Sequence, residues 1–239
     1  MTTGEPLLRA RGVVKSYGKT PALRGLTLDI EPGEIVAVTG PSGCGKSTLL
    51  HCLAGILRPD AGEVTYRGQR IDGWSEAARS RLRRTEFGVL FQFGQIVAEL
   101  TAAENVALPL LLAGTGRREA RTAAVTWLER LGVAELADVL PGEMSGGQQQ
   151  RCALARALVT EPQVLFADEP TGALDTLAGE QVLSHLVRLA REQRTTVLLV
   201  THEPRVAGYA DRDIALRDGV LDPGGVGGVG RARTAAGAA

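Results

Sequence analysis

Residues 35–50 read IVAVTGPSGCGKSTLL, and this stretch decides the fold. Its centre, Gly40 to Ser47, fits the pattern G-x-x-x-x-G-K-[ST], whose glycines let the backbone turn tightly around a phosphate group. The apolar run Ile35 to Val38 before it predicts a buried parallel strand, and Leu49 and Leu50 after it begin a helical pattern. A strand, this loop and a helix in that order predict a phosphate-binding α/β core, and argue against an ordinary glycine turn.

The loop residues have predicted contacts with a nucleotide. Backbone N–H groups and the positive end of the following helix favour an anion here. Lys46 can reach the β- and γ-phosphates, and the Ser47 hydroxyl can bind Mg²⁺. We therefore predict Lys46 as a catalytic residue, Ser47 as a metal ligand, and the following nucleotide-binding residues: Gly40, Pro41, Ser42, Gly43, Cys44, Gly45, Lys46, Ser47 and Thr48.

Two acidic residues follow a second apolar run, Val164 to Ala167. A carboxylate that leaves a buried strand beside a phosphate loop suits Mg²⁺, so Asp168 is a predicted metal ligand. The adjacent Glu169 can polarise an attacking water as a general base. The alternative is a pair of acids that only ends the strand, and the phosphate loop in the same chain favours the catalytic interpretation.

Strand and helix patterns alternate along the rest of the chain. Leu7 to Tyr17 and Leu23 to Ile30 predict antiparallel strands, and Val197 to Val200 predicts another buried parallel strand. Residues from about 93 to 160 are mostly helical in pattern and predict an inserted subdomain. The fold class is therefore α/β: a P-loop NTPase core with a parallel sheet, an N-terminal antiparallel β subdomain and an inserted α-helical subdomain. We expect one domain over residues 1–222 and a disordered Gly/Ala-rich tail over residues 223–239.

Composition limits the possible partners of the chain. The 27 Lys and Arg residues balance the 27 Asp and Glu residues, so no positive excess favours nucleic acid. The three cysteines are too few for a disulfide scaffold and indicate reduced thiols in a cytoplasmic protein. No run reaches the ~18 apolar residues of a membrane span, and the first residues lack a signal-peptide pattern. We expect no nucleic-acid partner, any membrane role through a partner protein, and a solvated face for Arg79, Arg81, Arg83 and Arg84.

A third motif narrows the class. Residues 144–148 read MSGGQ and precede the strand that ends at Asp168. With this motif the chain, from Leu7 to about Leu221, resembles the ATP-binding subunit of an ABC transporter, whose signature is L-S-G-G-Q. The resemblance implies hydrolysis of ATP with Mg²⁺ by a head-to-tail homodimer. It also implies that four residues contact the γ-phosphate held by the other subunit: Ser145, Gly146, Gly147 and Gln148.

Four more residues stand where this family has functional side chains. Tyr17 falls where the family stacks an aromatic ring on adenine, with a half-exposed strand-end ring as the alternative. Gln92 resembles the glutamine that senses Mg²⁺ and the lytic water, and a surface amide is its alternative. Asp175 resembles a residue of the loop that communicates across the dimer. His202 resembles the switch histidine at the γ-phosphate, with a structural histidine as the alternative. The resemblance thus implies catalytic roles for Glu169, His202, Gln92 and Lys46, and metal-binding roles for Ser47, Gln92 and Asp168.

Two further stretches resemble one branch of the family. Residues 168–175 read DEPTGALD and residues 104–110 read ENVALPL, as in the ATPases of lipoprotein-releasing, macrolide-exporting and peptide-resistance systems. That branch implies an FtsX-like permease as partner and a bacterial protein at the cytoplasmic face of the plasma membrane. Residues 93–97 depart from the branch in the region expected to touch the permease. The alternatives are a cell-division-type ATPase that switches a membrane partner without transport, and a soluble ABC ATPase acting on DNA or ribosomes.

Overall fold

The computed structural model describes residues 5–222, and the tail predicted to be disordered, residues 223–239, lies outside the described residues. The strands of the described part, in chain order, are β1 (Leu8–Tyr17), β2 (Thr20–Ile30), β3 (Ile35–Thr39), β4 (Ala61–Tyr66), β5 (Gln69–Arg70), β6 (Phe87–Leu90), β7 (Val164–Asp168), β8 (Thr196–Val200), β9 (Arg212–Arg217) and β10 (Val220–Leu221). The helices are α1 (Lys46–Leu53), α2 (Glu76–Thr85), α3 (Ala102–Leu112), α4 (Arg117–Arg130), α5 (Gly146–Leu158), α6 (Thr176–Gln193) and α7 (Pro204–Ala207).

The strands form two sheets, as the sequence predicts. The first sheet is antiparallel, with strand order β2-β1-β4-β5. The second has the order β10-β9-β3-β8-β7-β6, and all its pairs from β9 to β6 are parallel. The predicted α/β class with a parallel sheet and an antiparallel β subdomain is confirmed. Helices α3 to α5 lie between β6 and β7, where we predict the helical subdomain.

The parallel sheet divides the core into two layers. Along β7, Leu165 and Ala167 pack with α3 to α6, whereas Val164 and Phe166 pack with α1 and the antiparallel sheet. Both faces of the strand are therefore buried, which explains its continuous apolar sequence. Because the parallel strands end at the same edge, the segments that follow β3, β6, β7 and β8 meet there. This edge brings the predicted site residues together.

Phe166 is the largest fully buried side chain of the core. Its ring makes an edge contact with Phe87 at 5.2 Å between centroids. We expect Phe166→Ala to lower the free energy of unfolding by about 3–5 kcal/mol, because a large cavity replaces the ring. Urea denaturation of the full chain measures this loss. The control Phe93→Ala removes a ring that is 71% exposed and should change stability by less than about 0.5 kcal/mol. Equal losses in the two variants would contradict the prediction.

The chain between α1 and β4 departs from the sequence-based expectation. We predict a helix whose apolar pattern continues to Leu57, but α1 ends at Leu53 and Gly55 adopts a left-handed φ of 65°. Residues 59–62 have the composition of a turn, so the sequence does not predict that β4 begins at Ala61. A Cβ on Gly62 would lie 2.3 Å from the Gly12 carbonyl oxygen, so glycine allows β4 to approach β1 there.

The arginine-rich helix α2 is only partly solvated. Arg81 and Arg84 are exposed as expected, but Arg79 is buried, so the prediction of a solvated face is wrong at this position. The stem of Arg79 packs along Gly55, and its Nη2 donates to Glu76 at 2.6 Å. Arg83 donates to the Gly55 carbonyl oxygen at 2.6 Å. These two arginines thus hold α2 against the end of α1.

Candidate nucleotide-binding and catalytic site

A cleft of about 400 Å³ opens at the carboxyl edge of the parallel sheet. Its lining combines the turn between β1 and β2, the loop between β3 and α1, and side chains that follow β6 and β7. Tyr17 lies in this lining and is 54% exposed, so its side chain is accessible to a ligand in the cleft. The lining residues from the predicted site are Tyr17, Ser42, Gly43, Gly45, Lys46, Ser47, Thr48, Gln92 and Glu169.

The phosphate loop is held in a strained, closely packed turn. Gly45 has a φ of 109°, and a Cβ there would lie 2.3 Å from the Ala22 carbonyl oxygen, so only glycine fits. Gly45 also caps α1 without a side-chain hydrogen bond. Lys46 Nζ donates to the carbonyl oxygens of Gly40 and Pro41, at 2.8 and 3.0 Å. The ammonium group is therefore held over the loop at the positive end of α1.

Three of the predicted loop residues lie outside the cleft lining. The side chain of Cys44 is buried in the core below the loop, with 5% exposure. A Cβ on Gly40 would lie 2.9 Å from the Cys44 Sγ and 2.1 Å from the Leu216 carbonyl oxygen. Gly40, Pro41 and Cys44 do not line the cleft. Their nucleotide contacts stay predictions.

Two of the three predicted metal ligands, Ser47 and Asp168, are in direct contact. Ser47 Oγ donates to Asp168 Oδ1 at 3.0 Å, which joins the start of α1 to the end of β7. Burial raises the pKa of the Asp168 carboxyl, against the opposing effect of the Ser47 hydrogen bond. A hydroxyl and a partly buried carboxylate are the oxygen ligands that Mg²⁺ prefers, so this pair fits the ion.

Glu169 is placed by an unusual backbone conformation. Its φ is 47°, in the left-handed region that non-glycine residues seldom adopt and that occurs more often at functional sites. Its N–H donates to the Val200 carbonyl oxygen at 2.9 Å. Both carboxylate oxygens lie within 2.9 Å of His202 Nδ1. Glu169 and His202 therefore form a hydrogen-bonded pair across the ends of β7 and β8.

Gln92 lies close to the segment that follows Glu169. A Cβ on Gly172 would be 2.7 Å from Gln92 Nε2, so glycine at that position makes room for the amide. Gln92 and Glu169 both line the cleft. The structure thus brings Gln92, Lys46, Ser47, Asp168, Glu169 and His202 to one edge of the sheet.

The signature segment lies elsewhere on the chain. Ser145 caps α5: its Oγ accepts from the Gln148 N–H, and Gln148 Oε1 accepts from the Ser145 N–H at 2.8 Å. Asp175 caps α6 by accepting from the Ala178 N–H at 2.9 Å. Gly147 faces Ala178, so the starts of α5 and α6 are neighbours. The residues that line the cleft within the described part of the chain do not include Ser145, Gly146, Gly147, Gln148 and Asp175.

Comparison with known proteins decides the family. Residues 23–172 match the family model described as "ABC transporter". The chain belongs to the ABC transporter family. It is 45% identical over 222 residues to the lipoprotein-releasing system ATP-binding protein LolD 2 of Caulobacter vibrioides, covering 91% of this chain and 97% of that protein. It is 48% identical over 197 residues to LolD of Koribacter versatilis, covering 82% and 88%.

A solved ABC cassette has the same fold. The dimeric post-hydrolysis structure of the cassette MJ0796 bound to ADP and Pi superposes with a TM-score of 0.84 at 36% identity, over 90% of this chain and 96% of that chain. The predicted identity of our chain as the ATP-binding, ATP-hydrolysing subunit of an ABC transporter is confirmed. Among residues 5–222, no helix of this ABC subunit is long and apolar enough to cross a membrane.

The sequence interpretation missed two polar side chains of α5 near the site. Gln150 donates to the carbonyl oxygens of Phe91 and Pro170, which are next to Gln92 and Glu169 in the chain. Arg156 donates to the carbonyl oxygens of Gly94 and Gln95. One signal was available for Gln150. It occupies a position of the apolar stripe of α5, together with Ala153 and Leu154, and it is buried. A buried polar residue on such a stripe indicates specific hydrogen-bond partners.

Proposed function

We propose that this ABC ATPase powers a bacterial lipoprotein-releasing system through an FtsX-like permease. The observation that carries the proposal is the 45% identity to LolD 2 over 91% of the chain, a protein named for lipoprotein release. These relatives favour lipoprotein release over the cell-division alternative. In this proposal the subunit works at the cytoplasmic face of the plasma membrane, held there by the permease, and has no nucleic-acid partner.

The cleft supports a complete binding mode for ATP. Tyr17 stacks on adenine, and the loop from Gly40 to Thr48 holds the phosphates through its N–H groups and the Lys46 ammonium. Ser47, Asp168 and Gln92 would hold Mg²⁺, which when bound would neutralise charge that develops on the phosphate oxygens.

The chemistry of hydrolysis then follows from the residues at the edge of the sheet. Water attacks the γ-phosphorus while the bond from that phosphorus to the β–γ bridging oxygen breaks, which yields ADP and phosphate. Glu169 accepts the proton of the attacking water on its carboxylate. His202 holds this carboxylate through Nδ1, and Gln92 orients the water with its amide.

A homodimer completes each site. The signature segment Ser145 to Gln148 lies away from the cleft of its own chain. In the proposed head-to-tail pair, Ser145 of the partner subunit and Gly147 of the partner subunit bind the γ-phosphate at the start of a helix. The dimeric state of the similar cassette supports this arrangement. Closing and opening of the pair drives the permease.

Affinity capture from native membranes tests the partner. A tagged Glu169→Gln chain with ATP is expected to hold the closed dimer, and should recover a permease with few spans and a large exterior domain from detergent-solubilised membranes. Mass spectrometry identifies the recovered proteins. The matched control is tagged Lys46→Ala, which should recover less permease because it binds ATP poorly. Recovery of soluble partners, DNA or ribosomes without a permease would contradict the proposal.

A further inference from the structure

One side chain of α5 connects the two segments that carry Gln92 and Glu169. Gln150 is 3% exposed. Its Nε2 donates to the Phe91 carbonyl oxygen at 3.1 Å and to the Pro170 carbonyl oxygen at 2.8 Å. Phe91 directly precedes Gln92, and Pro170 directly follows Glu169. A single amide group therefore joins the backbone beside one cleft residue to the backbone beside the other.

The chemistry of this contact is specific to a primary amide. Its NH₂ group has two N–H donors, and each one faces a carbonyl oxygen of a different segment. An apolar side chain of similar length would fill the space but would provide neither donor. The Phe91 carbonyl oxygen would keep only the Gly94 N–H, at 3.0 Å, and the buried Pro170 carbonyl oxygen would lose the amide. Both segments would therefore be held less firmly against α5.

The backbone that follows Gln92 is also held against α5, so it has little freedom to adjust if the Gln150 amide is removed. A Cβ on Gly94 would lie 3.1 Å from both Gln150 Oε1 and Ala153 Cβ, so the chain passes directly over α5. Arg156 of the same helix donates to the Gly94 carbonyl oxygen at 2.6 Å and to that of Gln95 at 2.9 Å. Gln150 and Arg156 thus hold the backbone before and after Gln92 on one helix.

We propose that Gln150 is a positioning residue for ATP hydrolysis. Its amide sets the distance between the segments of Gln92 and Glu169, and so aligns the water-orienting amide with the general base. It acts through these two residues and does not touch the nucleotide. The inference rests on the proposed roles of Gln92 and Glu169. Removing the amide should lower kcat and leave the affinity for ATP nearly unchanged, because Gln150 bonds to Phe91 and Pro170 and does not line the cleft.

The adjacent Gln149 provides a matched control. Its Nε2 also donates to two backbone carbonyl oxygens, but these belong to Pro141 and Met144, in the turn that leads into α5. Gln149→Met and Gln150→Met remove the same amide from neighbouring positions of one helix. Only Gln150→Met breaks the connection between the Gln92 and Glu169 segments.

A double-mutant cycle with Gln92→Ala tests the proposal in the full-length chain. We measure kcat at saturating MgATP and Kd with a fluorescent ATP analogue. Gln150→Met should lower kcat about tenfold or more, because misplaced groups lose much of their catalytic effect, and Kd should change less than about threefold. In the Gln92→Ala background the same change should lower kcat by a clearly smaller factor. Gln149→Met should have the same effect on kcat in both backgrounds.

The possible outcomes separate this inference from the proposed function. If Gln92→Ala lowers kcat and Gln150→Met lowers it by the same factor in both backgrounds, the inference is wrong while the role of Gln92 stands. If Gln92→Ala leaves kcat unchanged, the proposed role of Gln92 fails and the inference fails with it. If Gln150→Met does not fold, Gln150→Leu removes both N–H donors without adding a buried charge, and the same cycle is run with it.

Discussion

Replacing Glu169 with glutamine should lower kcat for ATP hydrolysis by about 10²–10⁴-fold, the range that a general base contributes. The amide keeps the size of the side chain but cannot accept the proton of the attacking water. Affinity for ATP should stay within a few-fold of wild type, because the loop and Lys46 are unchanged. Phosphate release at saturating MgATP measures the loss, and size-exclusion chromatography with ATP should show a stable dimer.

A neighbouring carboxylate provides the control for this prediction. Glu203 follows His202 directly, and it does not line the cleft. Glu203→Gln removes the same charge and should leave kcat within about twofold of wild type, as expected away from the reacting atoms. Wild-type turnover in the Glu169→Gln chain would remove Glu169 as the base. A loss in both variants would point to the charge of the region instead.

Replacing Lys46 with alanine should raise the Kd for ATP by about 10- to 150-fold. A hydrogen bond to a charged group contributes about 1.5–3 kcal/mol, and the phosphates lose such a contact. The loop loses support as well, because Lys46 Nζ bonds the Gly40 and Pro41 carbonyl oxygens. Equilibrium titration with a fluorescent ATP analogue measures the change.

The control for the Lys46 variant removes a lysine from another surface. Lys15 pairs with Asp60 at 2.7 Å and does not line the cleft. Lys15→Ala should therefore leave the Kd for ATP unchanged. Normal ATP affinity in the Lys46→Ala chain would contradict the role of the phosphate loop, and an equal loss in Lys15→Ala would indicate an effect of net charge.

The sequence predicted the parts of the site that local patterns determine. The stretch from Ile35 to Leu50 specifies a strand, a loop and a helix by itself, because each has its own local pattern. Asp168 and Glu169 follow a continuous apolar run, so their place at the edge of a parallel sheet was also predictable. The order of these motifs along the chain then pointed to the family.

The features that the sequence did not predict depend on contacts between distant residues. Strand β4 was not predicted because it begins within the turn-like residues 59–62. Its start depends on the close approach of Gly62 to Gly12 of β1. Arg79 has the sequence pattern of a surface residue, but its stem is buried along Gly55 of another segment. Gln150 is one of three consecutive glutamines, and only its partners Phe91 and Pro170 distinguish it. Such pairings arise from tertiary packing, which local patterns do not encode.

The strand order of the parallel sheet also sets the order in which the parts of the site can come together during synthesis. β3 carries the phosphate loop and leaves the ribosome early, yet its neighbours in the sheet are β8 and β9, near the end of the described chain. Strand pairs between segments so far apart in the sequence form late in folding. A nascent chain therefore exposes a phosphate loop that lacks Asp168, Glu169 and His202. The complete catalytic edge therefore forms only after β7 and β8 have been made.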